Sequence, residues 1–260
     1  MTRSPLTPSE GWGVLHLFLR LRTENPGPES GSLLTETLTG WGTRIQLHCF
    51  SVLGHKADVM LVAIDEDLSS LRDFQTAVTT GQLGHALELT WSYVSLTESS
   101  EYTPTREREE VRLRDSGLEG DRLEEMLVKF DQRMAEHLDN RLHPRMPDWE
   151  VACFYPMSHR RDGGDNWYSL PFDERFRLMA EHGKSGRAFA GRVVQLVSGS
   201  TGLDDWEWGV TLFAHDMADL KRIVYALRYD EASARYGEFG PFVVGLRRTP
   251  QELAADIGMA

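Results

Sequence analysis

A tyrosine and a histidine in the second half of the chain have side chains that suit redox chemistry. Tyr155 lies on a predicted strand, where residues 151, 153, 155 and 157 point to the same side. Its phenol can lose one electron and one proton. His182 follows Met179 by three residues, near the apolar face of a predicted helix, and a neutral imidazole is a common ligand of haem iron. Taken alone, each residue type is more often part of a protein core, so neither indicates a function without its surroundings.

The elements around these two residues alternate between strands and helices. The predicted strands are 149–157, 193–198, 206–214 and 239–246, and the predicted helices are 171–190 and 216–228. The order βαββαβ is that of a ferredoxin-like unit.

The first half of the chain repeats this order with weaker signals. The helix start at Asp67 corresponds to the helix start at Asp216, and the same offset places Val59 opposite Trp208. We therefore predict an α+β fold in which two ferredoxin-like βαββαβ repeats pack as in the dimeric α+β barrels. The predicted division is a first repeat at 11–98, a charged connector at 99–147 and a second repeat at 148–248.

The connector and the two ends of the chain carry fewer structural signals. Apolar residues recur with helical spacing over 121–142, which predicts a helix there. The segment 107–114 is so rich in charge that we expect it to be disordered. We also expect 1–10 and 250–260 to be loose tails.

The composition excludes some partners and favours a reducing compartment. A formal net charge of -12 argues against nucleic acid or an anionic membrane as the main partner. The first residues are polar and resemble no secretory signal, and no apolar run is long enough to span a bilayer. Cys49 and Cys153 do not have the spacing of a metal site. These features predict a cytoplasmic protein.

A series of short motifs in the second half carries a more specific signal. In chain order they are CFYPMSHRR at 153–161, DNWY at 165–168, EHG at 181–183, SGR at 185–187, Gln195, DDWEWGVTLF at 204–213 and RYDEASARY at 228–236. The series resembles the coproheme decarboxylases of the Firmicutes type, which belong to the chlorite-dismutase-like superfamily. Looser similarity at 11–12, 54–58 and 91–95 extends the resemblance into the first half.

The resemblance implies an enzyme that binds coproheme III between the sheet and the helices of the second repeat. Such enzymes use hydrogen peroxide to convert two propionates into vinyl groups, which releases carbon dioxide and leaves haem b. By the same resemblance, His182 corresponds to the iron ligand and Tyr155 to the radical-forming residue. A homopentamer and a transient contact with the ferrochelatase that supplies coproheme are further implications.

Other residues correspond to the porphyrin contacts of the family. They are Arg141, Met157, Arg187, Gln195, Arg228 and Ser233. Coproheme carries four carboxylates, and the planar guanidinium of an arginine matches a carboxylate, so the three arginines are the expected propionate contacts. Gln195 is a neutral amide at a position where true chlorite dismutases typically have an arginine, which favours the decarboxylases.

Two positions depart from the family pattern. His159 stands where the family usually has a lysine that positions a reacting propionate, and no tyrosine occurs from Thr103 to Asp148, where family members offer one. If His159 replaces the lysine beside a carboxylate, its pKa should be raised, so we expect it to act as a cation up to about neutral pH. The alternative is that His159 is a solvated loop residue and that Arg160 or Arg161 supplies the charge.

Other functions remain open from the sequence alone. A haem peroxidase or a chlorite-degrading enzyme would share the iron ligand, and a non-catalytic haem carrier would need the arginines but not Tyr155. A monooxygenase of the dimeric α+β barrels is a third alternative. Trp167 and Trp208 are further oxidisable side chains, although packing in the core is the commoner role for a tryptophan.

Overall fold

The computed structural model describes residues 4–22 and 28–259. Strands and helices alternate through the first repeat, and two helices form the connector. The elements are β1 (Gly13–Leu21), α1 (Pro28–Gly42), β2 (Gln46–Leu53), β3 (Val59–Asp65), α2 (Leu68–Thr79), α3 (Gly81–Ala86), β4 (Leu87–Leu96), α4 (Arg106–Asp115) and α5 (Gly120–Leu142). No helix of the described residues is both long and apolar enough to cross a membrane.

The second repeat has the same order of elements with three additions. Its elements are β5 (Val151–His159), a 3-10 turn (Trp167–Ser169), α6 (Phe172–Arg187), β6 (Val193–Gly199), β7 (Trp208–Ala214), α7 (Met217–Leu227), α8 (Glu231–Tyr236), β8 (Gly237–Phe239), β9 (Val243–Arg248) and α9 (Pro250–Asp256). The 3-10 turn, β8 and α9 have no counterpart among the described residues of the first repeat, whereas α8 follows α7 as α3 follows α2. Strand β8 pairs with the end of β5 that carries His159.

The strands of both repeats join into one closed antiparallel sheet. The order is β7-β6-β4-β1-β3-β2-β9-β5-β8, and an additional pairing of β5 with β7 closes the ring. Within each repeat the strand order is that of a ferredoxin-like unit, which confirms the predicted fold class. The repeats meet where β2 pairs with β9 and, over a single residue pair, where Leu96 faces Gly199.

The two helices that follow the corresponding strands β3 and β7 begin in the same way. The Asp67 side chain accepts a hydrogen bond from the backbone N–H of Ser69, and Asp216 accepts one from the N–H of Ala218. Each aspartate thereby satisfies a donor that has no partner within the helix. The correspondence predicted between these two positions therefore reflects the same local capping chemistry.

Two segments that were expected to be irregular are helical. The segment 107–114 lies within α4, where Arg112 pairs with Glu109 and Leu113 packs against α5. The charges that predicted disorder instead stabilise the helix as pairs on neighbouring turns. The C-terminal residues form α9, which Thr249 and Glu252 begin with a capping box, and Leu253 is fully buried against the first repeat.

At the N-terminus, the backbone N–H of Leu6 donates to the Asp67 side chain and its carbonyl oxygen accepts from the N–H of Leu68, so this part of the expected tail is attached. Residues 1–3 and 260 lie outside the described residues.

The interior of the barrel contains polar side chains that link the two repeats. The Nε2 atom of His16 lies 2.8 Å from Thr211 Oγ1, and Ser95 Oγ lies 2.7 Å from Ser198 Oγ. His16 is fully buried, its Nδ1 has no hydrogen-bond partner within the described residues, and burial lowers its pKa to about 3. The ring is therefore neutral in the folded protein over the whole physiological range.

We predict that His16 makes the protein sensitive to acid. Because its pKa is lower in the folded state than the ordinary 6.5, the unfolded chain binds the proton more tightly, and stability is lost as pH falls below 6.5 toward 3. The loss attributable to His16 between pH 7.5 and pH 5 should be about 2 kcal/mol.

Urea unfolding of the wild type and of His16→Gln at both pH values measures this difference. The variant should be less stable at pH 7.5 but should lose less stability on acidification. The matched control is His55→Gln, at an exposed position, which should leave the pH dependence unchanged. Parallel curves for the wild type and His16→Gln would contradict the prediction.

Candidate functional site

The outer face of β5 carries the predicted tyrosine. Along this strand Ala152 and Phe154 point into the barrel, whereas Cys153 and Tyr155 pack on the outside with α7. Met157 continues the outer row and faces Trp208 across the β5–β7 ladder. The alternation of the strand therefore presents this row to the helices of the second repeat.

Tyr155 is buried between aromatic rings, close to a guanidinium group. Its ring stacks on Phe242 with 4.5 Å between centroids, and it is 4% exposed. Arg228 lies over the neighbouring Phe239 ring at 5.3 Å. Burial raises the pKa of Tyr155 more than the positive charge of Arg228 lowers it. The phenol therefore stays protonated, and its hydroxyl forms no hydrogen bond with another described residue.

A cavity of about 300 Å³ lies between α7 and the outer surfaces of β5 and β9. Cys153, Val224 and Phe242 give it an apolar wall, and Arg228 stands at its lining. An apolar space with a cation at its edge suits a flat, apolar ligand that carries a carboxylate.

His182 on α6 is held on one side by Asp230 and Ser233, two residues of the motif at 228–236. Its Nδ1 atom lies 3.1 Å from Asp230 Oδ2 and 3.3 Å from Ser233 Oγ. The Asp230 side chain is 5% exposed and also accepts a hydrogen bond from the backbone N–H of Ser233, at the start of α8. This arrangement fixes the orientation of the imidazole ring and leaves Nε2 for another partner.

The ionisation of Asp230 depends on these contacts. Burial alone would raise its pKa, but the hydrogen bonds from His182 and from the Ser233 backbone outweigh burial, so the pKa is lowered. A carboxylate that remains ionised beside Nδ1 favours the tautomer with the proton on Nδ1 and makes Nε2 a stronger metal ligand.

Arg187 and Gln195 lie where α6 approaches β6. A Cβ atom on Gly186 would lie 3.3 Å from Gln195 Nε2, and one on Gly183 would lie 3.1 Å from Arg187 Nη1. Gly186 therefore leaves room for the Gln195 side chain against α6, and Gly183 leaves room for the Arg187 side chain along the same helix. Both Arg187 and Gln195 are exposed.

Arg141 reaches the second repeat from the last turn of α5. Its Nε donates to the backbone oxygen of Glu98, 3.3 Å away, while Glu98 Oε1 accepts from Trp208 Nε1 at 3.1 Å. Burial lowers the pKa of Arg141, against the raising effect of Glu98. Glu98 thus connects Arg141 to the strand that pairs with β5.

His159 is buried among aromatic rings, so the alternative of a solvated loop position is wrong, and the positive charge expected beside a bound propionate stays a prediction. The imidazole stacks on Trp167 with 4.2 Å between centroids and 6° between planes, and it meets Trp208 edge-on at 4.9 Å. Burial, with smaller contributions from His182 and Arg175, lowers its pKa to about 4. The carboxylate expected to raise the pKa of His159 is a propionate of the substrate, and this lowered value reflects the surrounding protein alone.

Three residues of this region were not singled out from the sequence. Asp230 is the cap of α8, and an aspartate three residues before Ser233 is a helix-start signal that could have identified it. Tyr102 lies one residue before the connector segment that lacks tyrosine, and it packs against Trp167 and Phe172. Glu98 gave no sequence signal, because only the tertiary structure brings it to Trp208.

We predict that His159 titrates far below an ordinary histidine. In spectra of histidine-labelled protein, its imidazole should take up a proton only near pH 4. Removing the stacked ring in Trp167→Ala should admit water and move the pKa of His159 upward, toward 6.5. Titration of His159 near pH 6.5 in the wild type would show that the ring is not desolvated.

Comparisons with known proteins agree with this architecture. The sequence model of the chlorite dismutase family matches residues 29–248. A coproheme decarboxylase of Oceanobacillus iheyensis is 40% identical over 205 residues, which cover 79% of this chain and 74% of that protein. A protein of Natronomonas pharaonis described as heme-binding is 38% identical over 97% of this chain and 42% of its own length.

Solved structures give the same result. A heme-binding protein of Thermus thermophilus superposes with a TM-score of 0.79 at 34% identity, covering 99% of this chain and 100% of that one. A single-residue variant of the chlorite dismutase of Candidatus Nitrospira defluvii gives a TM-score of 0.72 at 17% identity, over 96% and 97% of the two chains, which shows a shared fold. The closed double-repeat sheet and the family match over most of the sequence show that this chain belongs to the chlorite dismutase family.

Proposed function

We propose that this protein is a coproheme decarboxylase, which uses hydrogen peroxide to convert two propionates of coproheme III to vinyl groups and yields haem b. The observation that carries the proposal is that one repeat contains both an oriented imidazole and a buried phenol. His182 is held by Asp230 and Ser233, and Tyr155 is protonated and without a hydrogen-bond partner among the described residues. The named activity of the Oceanobacillus iheyensis relative supports it.

The residues present suit an iron porphyrin. A single imidazole with Nδ1 held by a carboxylate is the usual donor for one axial position of haem iron. Within residues 4–22 and 28–259 no group of three or more His, Cys, Asp or Glu side chains could hold a metal ion by itself, so iron would enter with its porphyrin. Bound iron supplies the reaction with peroxide.

The arginines provide the charge that an acidic protein needs for an anionic substrate. Arg187 is exposed at the end of α6, and Arg228 is exposed near Tyr155. Arg141 approaches from the connector. We propose that they bind propionates, with Ser233 as a hydroxyl partner. We also propose that His159 and Met157, near the end of β5, contact the porphyrin, with His159 beside a propionate.

The proposed reaction balances for each propionate. The carboxylate leaves as carbon dioxide, a hydrogen leaves the side-chain carbon attached to the porphyrin, and the two remaining carbons become a vinyl group, which releases two electrons and one proton. One hydrogen peroxide takes up these two electrons, this proton and one proton from solvent, and becomes two waters. In this scheme Tyr155 gives up an electron and a proton and then removes the hydrogen atom from the propionate.

Gln195 supports decarboxylation over chlorite chemistry, because a neutral amide brings no positive charge to bind and polarise an oxyanion. A haem carrier would not need a buried phenol. We also propose that the protein assembles as a homopentamer and receives coproheme from a ferrochelatase.

The direct experiment adds coproheme and hydrogen peroxide to the pure protein and measures by mass spectrometry the loss of two carboxyl groups. Binding without any loss of mass would contradict the proposed activity.

We predict that Tyr155→Phe binds coproheme but does not decarboxylate it. The substitution removes one hydroxyl and keeps the ring that stacks on Phe242, so packing is preserved. The phenylalanine ring cannot give up a hydrogen atom, so haem b should not accumulate. Tyr229→Phe, at an exposed tyrosine, is the control and should retain activity. Wild-type yields of haem b from Tyr155→Phe would exclude Tyr155 as the radical site.

We predict that the arginines select coproheme over haem b. A charge-assisted hydrogen bond contributes about 1.5–3 kcal/mol, which is a factor of roughly 10 to 100 in affinity. Arg187→Ala and Arg228→Ala should therefore weaken coproheme binding more than haem b binding, because coproheme has two additional carboxylates. Titrations followed by absorbance give both dissociation constants. Equal losses for the two porphyrins would indicate that the arginine binds a propionate that both retain.

A further inference from the structure

A line of aromatic rings leads from the outer face of the second-repeat sheet to the connector. Trp208, opposite Met157 in the ladder, meets His159 at 4.9 Å between centroids. His159 stacks on Trp167 at 4.2 Å, and Trp167 meets Tyr102 edge-on at 6.3 Å. Neighbouring rings are thus in or near van der Waals contact along the whole line, which is the arrangement that allows electrons to move between side chains.

The line ends at a tyrosine that can release its proton. The Tyr102 hydroxyl accepts a hydrogen bond from Arg175 Nε at 3.2 Å. Burial and the neighbouring Glu101 carboxylate both raise the pKa of Tyr102. Tyr102 is half-buried, and the side chain of Glu101 is 56% exposed, so a proton accepted by Glu101 can pass to solvent.

A second tyrosine beside Trp167 lacks these features. Tyr236 meets Trp167 edge-on at 5.3 Å, but it is fully buried, and its hydroxyl has no hydrogen-bond partner within the described residues. Because Tyr236 is fully buried, small reductants in solution cannot reach it, whereas Tyr102 is only half-buried. Of these two neighbours of Trp167, only Tyr102 can serve as the outer end of the line.

We propose that Trp208, His159, Trp167 and Tyr102 form an electron-transfer route from the surface to the porphyrin pocket, which removes oxidising equivalents that the substrate has not consumed. This inference rests on the proposed function for its oxidant, hydrogen peroxide acting on the bound iron porphyrin. His159 is neutral and hard to oxidise, so it acts as a bridge between the two tryptophans, which are themselves oxidisable.

The electrons and protons balance over two passes, each of which is the transfer of one electron along the route. In each pass one electron leaves Trp208 for the pocket, Trp167 replaces it across His159, and Tyr102 replaces the electron of Trp167. The Tyr102 proton moves to Glu101, which leaves a neutral phenoxyl radical. A thiol or ascorbate in solution reduces that radical with one electron and one proton. Two passes supply the two electrons that one peroxide needs to become two waters, with the two protons taken from solvent.

The route would matter most when peroxide exceeds substrate. A strong oxidant formed on a porphyrin bound beside Tyr155 and Met157 would otherwise react with those side chains or with the porphyrin itself. Moving the oxidising equivalent to a half-buried tyrosine places it where small reductants can reach it.

The test locates protein radicals directly. Protein loaded with coproheme receives excess hydrogen peroxide in the presence of the nitrone spin trap DMPO, and peptide mass spectrometry locates the adducts. We expect a Tyr102 adduct in the wild type and a several-fold smaller one in Trp167→Phe. Trp41→Phe, on α1 in the first repeat, is the matched control and should leave the Tyr102 adduct unchanged.

Because Trp167 is buried, Trp167→Phe could disturb packing, so an exposed variant provides an independent test. Glu101→Gln removes the proton acceptor without changing any ring in the line, and it should also reduce the Tyr102 adduct. A full Tyr102 adduct in both variants, or no Tyr102 adduct in the wild type, overturns the route. If the wild type forms the Trp167-dependent adduct but no vinyl product, the proposed decarboxylation fails while the route stands. If vinyl product forms with no effect of either variant on the adduct, only the route fails.

Discussion

Strand β5 is paired along both of its edges, with β7 on one side and with β9 and β8 on the other. These ladders close the barrel, and they also fix which side chains of β5 face outward. A slip of one residue would turn Tyr155 into the barrel interior and bring Phe154 out. The interior leaves no freedom for such a slip, because Phe154 packs there against Tyr93 and His16. The chemistry of the outer face therefore depends on the register of a fully paired strand.

Polar contacts inside the barrel reinforce this register from the other repeat. His16, Ser95 and Tyr93 of the first repeat meet Thr211, Ser198 and Ser200 of the second. Buried hydrogen bonds add little net stability when they are formed, but leaving one partner alone is costly, so they select one alignment of the two repeats. His16 illustrates the cost, since its pKa of about 3 means that acid unfolding must include its protonation.

Outside the barrel, the surroundings of His182 and His159 have opposite effects on the two imidazoles. Asp230 and Ser233 hold one nitrogen of His182, so the imidazole direction is set before any ligand binds. The aromatic residues around His159 act in the opposite sense, because they remove water from the ring and lower its pKa to about 4. The His182 imidazole thus has a fixed direction and the His159 imidazole is stacked and desolvated, although the sequence presents both as single histidines in family motifs.

The sequence determined the features that depend on near neighbours. Strand alternation in β5 and the aspartate caps of α2 and α7 follow from residues a few positions apart, and the repeat order follows from their succession. The tertiary structure alone decided the neutral state of His159, the position of Tyr102 beside Trp167 and the docking of α9 on the first repeat. Each of these depends on burial by residues that are distant in the chain. Desolvation and packing are set by what surrounds a side chain in space, and no local pattern encodes that.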